Sequence, residues 1–110
     1  MLKIPMSPPA AALLRAIFGR TAAPREQILL TRLRSVDWQS LTFTGERHEI
    51  ELRIKGPDSG EIARRLTFGL GEAEFRIAGH VVADVALAGE PRHHGDGSVT
   101  VSIEALTISE

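Results

Sequence analysis

Apolar and polar residues alternate most clearly in the middle and at the end of the chain. Ile50, Leu52 and Ile54 alternate with Glu49, Glu51, Arg53 and Lys55, and Leu41 and Phe43 alternate with Ser40, Thr42 and Thr44. A period of two puts one set of side chains on each face of a strand. Thr44-Gly45-Glu46-Arg47 lies between the two runs and reads as the turn of an antiparallel hairpin. Gly56-Pro57 ends the second strand, because proline has no N–H to give a central ladder. A longer series on odd positions comes next: Phe75, Ile77, Val81, Ala83, Val85 and Leu87, with Gly79 predicting a bulge or kink. After a polar loop over 89–97, Val99, Val101 and Ile103 define a last strand. Its parity slips between Ala105 and the pair Leu106 and Ile108, which predicts a bulge or a swap of buried face.

Two stretches carry the helical period instead. Ser7 can cap a helix over Ala10–Phe18, with Pro8 and Pro9 in its first turn and Leu13, Leu14, Ile17 and Phe18 on one stripe. Asp58 or Ser59 can cap a second helix whose stripe is Ile62, Ala63, Leu66 and Leu70, stopped at Gly69 and Gly71. Glu26–Ser35 satisfies neither period. As a helix it would carry Arg25 and Arg32 on its apolar face, and as a strand it gives Ile28 and Leu30 the parity of Arg32 and Arg34. A strand bending near Asp37 is the preferred reading.

The elements predict an α+β fold: a mostly antiparallel sheet of about four strands in ββαββ order, one helix packed on it, and an N-terminal helix. Residues 1–24 form a basic amphipathic helix and linker, and residues 25–110 a single α+β domain. The expected core is Phe43, Ile50, Leu52, Ile54, Ile62, Leu66, Phe75, Ile77, Val81, Val85, Val99, Val101 and Ile103. Trp38, the one tryptophan, stands apart from that series and is expected to be buried.

Charge adds one feature. Net charge is −1, yet residues 1–36 hold six basic side chains and one acid, leaving thirteen acids and seven bases beyond. The basic segment either docks on the acidic remainder or meets an anionic surface. There is no cysteine, which excludes disulfides, thiolate metal sites and thiol catalysis and favours a cytoplasmic protein. Prolines 5, 8 and 9 and Arg15 interrupt the N-terminal apolar residues, so no secretory signal is expected.

Chemistry is sparse. No phosphate-binding loop, dinucleotide fingerprint, HExxH, EF-hand or nucleophile elbow occurs, and no cofactor is expected. His93, His94 and Asp96 are the one cluster of metal-ligand types, but a glycine-rich loop holds ligands poorly and no metal is expected there. If the last two strands pair without a bulge, His80, Asp84, Ser102 and Glu104 share one polar sheet face. His80 beside Asp84 and Glu104 could then act as a general base, with His48 at the rim of the hairpin turn. A solvated face of ion pairs and hydroxyls accounts for the same residues.

Ample strand content beside so little chemistry favours a small non-catalytic interaction or assembly module forming a homo-oligomer, a homodimer by edge pairing or helix docking. A small acid–base enzyme or ligand-binding domain on the polar sheet face is the alternative. A third reading has Ala10–Phe18 contacting a membrane surface or a protein partner. Nucleic-acid binding ranks last, because aromatic stacking platforms are missing.

Overall fold

The computed structural model describes residues 4–110. Its α-helices are α1 (Pro8–Phe18) and α2 (Ser59–Thr67). Its strands are β1 (Ile28–Gln39), β2 (Thr44–Ile54), β3 (Arg76–Ile77), β4 (His80–Leu87), β5 (Arg92–His93) and β6 (Val99–Ser109). The strands form one antiparallel sheet in the order β1-β2-β6-β4-β3, with β5 also pairing to β6. The fold is α+β as the periodicities predict, but the sheet has six strands rather than about four. The ββαββ order is corrected too, because the two-residue strands β3 and β5 are interposed.

The inner face of the sheet carries the core. Ile50, Leu52 and Ile54 of β2 and Val99, Val101, Ile103 and Ala105 of β6 pack with Ile62, Ala63 and Leu66 of α2 and with Leu13, Leu14 and Ile17 of α1. Both helices therefore cover one face, and the stripe of α1 is buried in the same core as the strands. Ser7 caps α1 by accepting from Ala10 N. Asp58, in a left-handed conformation, precedes α2 without a side-chain cap bond.

Two bulges rewrite the parity. Thr31 is the extra residue between Leu30, opposite Leu52, and Arg32, opposite Glu51. Leu30 and Leu33 thereby both face inward, and the conflict within 26–35 disappears: the segment is a strand from Ile28 onward. Ala83 is the extra residue of β4, so Val82 and Val85 face inward while Val81 and Asp84 face outward. Val81 is consequently 50% exposed instead of belonging to the core. The last strand keeps one parity: Thr107 points inward, fully buried, and Leu106 and Ile108 lie half-buried on the outer face.

The first hairpin turn also differs from expectation. It lies at Ser40–Phe43, where Ser40 N donates to Phe43 O at 2.9 Å and Ser40 Oγ accepts from Phe43 N at 3.0 Å. Thr44–Arg47 is strand, and Phe43 is 54% exposed. Gly79, with φ of 75°, is part of the tight turn between β3 and β4. Phe75 and Ile77 beside it are half-buried.

Candidate functional site

The polar end of the inner face is built by the ends of four elements. Asp37 of β1 lies opposite Glu46 of β2, Glu46 opposite Thr107 of β6, and Ser109 of β6 opposite His80 of β4. Partners in antiparallel register share a face, so the strands place these polar groups together under the first turn of α1. Asp37, Glu46, His80 and Ser109 line a cleft of about 510 Å³ together with Ser7, Trp38, Gln39 and Thr44. Ser7 Oγ donates to Glu46 Oε1 at 2.6 Å while accepting from Ala10 N. The same hydroxyl thus caps the helix and ties it to the sheet.

Behind the cleft lies His48, 1% exposed. Its Nδ1 is 2.7 Å from Ser35 Oγ and its Nε2 is 2.9 Å from Thr107 Oγ1. A neutral imidazole donates from one nitrogen and accepts at the other, and two hydroxyls satisfy both. Burial pushes its pKa below the ordinary value; Glu46, whose Oε1 is 4.0 Å from Nε2, opposes that shift and His80 adds to it. His48 is therefore a fully bonded neutral core residue behind the cleft. The parity of His48 with Ile50, Leu52 and Ile54 carries this information. Placing the hairpin turn at Gly45 hides it.

The bulge at Ala83 divides the polar sheet-face group. His80 faces inward, with Nδ1 3.2 Å from Ala78 O, whereas Asp84, Ser102 and Glu104 face outward. His80 therefore shares a face with His48 and the cleft, and not with Asp84 or Glu104. The residues of the loop before β6 are each engaged separately. His94 Nε2 is 2.7 Å from Thr100 Oγ1, and His93 lies in β5 opposite Val99. Asp96 accepts from Ser98 N and Oγ and from Arg53, which together hold its carboxyl down at about 2, the serine bonds contributing most. Among the described residues no three histidine, aspartate or glutamate side chains converge as a metal site.

The outer face has a different character. Among the described residues no helix covers it, and Arg32 and Arg34 of β1 meet Glu49 of β2 at 3.4 and 3.8 Å, while Arg92 meets Glu51 and Arg53 meets Asp96. Much of the basic N-terminal segment is engaged within the chain: Arg25 stacks on Phe18 at 4.1 Å, and Arg20 donates to Phe68 O. Toward the Asp37–Glu46 end this face carries Val36, Trp38, Leu106, Ile108 and Val81, with Arg47 between Val36 and Leu106 and Asp84 beside Leu106. At its margin β1 pairs only with β2, so its other edge has no strand partner among the described residues. No helix of the described chain is long and apolar enough to cross a membrane. Neither the protein-family models nor the curated proteins nor the solved structures contain a match to this chain.

Proposed function

We propose that this protein is a non-catalytic assembly module that forms a homo-oligomer through the free side of its sheet. The observation that carries the reading is β1. It is a 12-residue edge strand without proline, and its outer edge has no strand partner among the described residues. The opposite margin of the sheet ends in the two-residue strand β3 and offers little to pair with. On the outer face of β1 Val36, 41% exposed, gives a partner an apolar side chain to bury. The separation of His80 from Asp84 and Glu104, and the burial of His48, weigh against the acid–base alternative on the polar sheet face.

Sedimentation velocity on the whole chain tests the proposal. The weight-average mass is expected to rise with concentration towards that of a dimer. A monomer at every concentration would overturn it.

A further inference from the structure

Resting on the assembly reading, we propose that the partner is a second copy of this chain, joined by antiparallel pairing of β1 with β1 across a two-fold axis at Val36. Directly opposed residues in an antiparallel pair lie on the same face, so few registers are open to β1 pairing with itself. Centring the axis on Arg34 sets Arg34 against Arg34. Centring it on Leu33 sets Arg32 against Arg34 twice. An axis at Asp37 brings the two Asp37 carboxylates together. Like charges directly opposite each other destabilise a pair.

An axis at Ser35 avoids like charges but sets Asp37 against Leu33 twice. It also extends the ladder into Thr31, where the bulge breaks regular pairing.

The axis at Val36 has none of these defects. It uses residues 33–39, beyond the bulge and short of the Ser40 turn. On the outer face Val36 meets Val36, and Arg34 lies opposite Trp38 on both sides of the axis, a cation over an aromatic face. On the inner face the Ser35 hydroxyl lies opposite the Asp37 carboxylate, and Leu33 opposite Gln39. The helices leave the edge open to this pairing: α2 packs on β2 and β6, and α1 makes its main strand contact with β3. The result is one continuous sheet of two copies with both uncovered faces on the same side. The two Val36 side chains meet at the axis, each with Arg47 of its own β2 on the far side.

Single-cysteine cross-linking reads the register directly, because the chain has no cysteine of its own. In the proposed pairing the two residues 36 are direct partners, with Cα atoms roughly 4.5–5.5 Å apart, within disulfide reach. The two residues 34 are offset by four positions, about 14 Å along the strand, and out of reach. Mild oxidation should convert Val36→Cys to a covalent dimer several-fold faster than Arg34→Cys or the exposed control Val81→Cys. Val36→Lys, which sets two ammonium groups at the axis, should shift the whole chain to monomer while leaving its circular dichroism unchanged.

If the parent chain dimerises but the three cysteine variants link equally, or Arg34→Cys links fastest, the register is wrong and the assembly reading stands. The register is equally overturned if Val36→Lys dimerises as well as the parent. A parent that stays monomeric at every concentration overturns both.

Discussion

His48 shows how one side chain records its surroundings. It is enclosed between Ser35 and Thr107, and burial makes its protonated form costly in the folded state. Its folded pKa is below its unfolded one, so the unfolded chain takes up the proton first as pH falls. The stability due to a neutral His48 is complete above the unfolded value of about 6.5 and is lost as pH drops from there through the folded pKa. Urea unfolding between pH 7 and pH 5 should therefore show falling stability, and His48→Gln should reduce the slope even if it lowers stability overall. An unchanged slope in that variant would assign the dependence to other groups. Asp96 titrates on the same principle at much lower pH, since Ser98 and Arg53 hold its carboxylate and bring its pKa to about 2.

At the scale of elements, alternation alone identifies the strands, but single extra residues decide which face each side chain occupies. Thr31 and Ala83 each insert one residue, and each reverses the parity of the rest of its strand. Thr31 also donates from Oγ1 to Glu51 O at 3.1 Å and thereby ties the bulge to β2. Gly45 is a residue whose role depends on a neighbouring element. A Cβ there would lie 2.0 Å from Thr107 O on β6, so glycine allows the two backbones to approach. Gly45→Ala is expected to cost roughly 1–3 kcal/mol through forced separation of β2 and β6. Gly95→Ala, where an added Cβ meets nothing within 4 Å, is the control and should be near neutral. Chemical denaturation of the two variants makes the comparison, and equal effects would remove the close approach as the reason for Gly45.

For the whole molecule, the central question is how far α1 belongs to the domain. Leu13, Leu14 and Ile17 are buried among strand residues, and Ser7 links the start of the helix to Glu46. Burying three such side chains is worth about 1.5–3 kcal/mol each. That total approaches the ~5–15 kcal/mol net stability of a whole domain. Removing residues 1–20 should therefore lower the thermal midpoint sharply, or abolish cooperative unfolding, to the same extent at every protein concentration. A loss that appears only at low concentration would place the helix in a contact between copies of the chain instead. An unchanged midpoint would leave its stripe without a role in stability.

The sequence by itself determines the class of fold, both helices and most of the core. Ile50, Leu52, Ile54, Ile62, Leu66, Val85, Val99, Val101 and Ile103 announce themselves because periods of two and 3.6 residues are local properties of a chain burying one side. Only the tertiary structure decides what depends on register. Phe43 alternates like a core residue and lies exposed beside the first hairpin turn, because the Ser40 hydroxyl fixes that turn before Gly45. His80 and Asp84 alternate like neighbours on one face and end on opposite ones, because Ala83 is extra. The cleft joins Ser7, the β1–β2 hairpin at Asp37 and Glu46, and His80, three segments distant in sequence, and no local period records that meeting. A strand's period tells which residues share a side only until the first bulge. Beyond it, the hydrogen-bond ladder with the neighbouring strand carries the information.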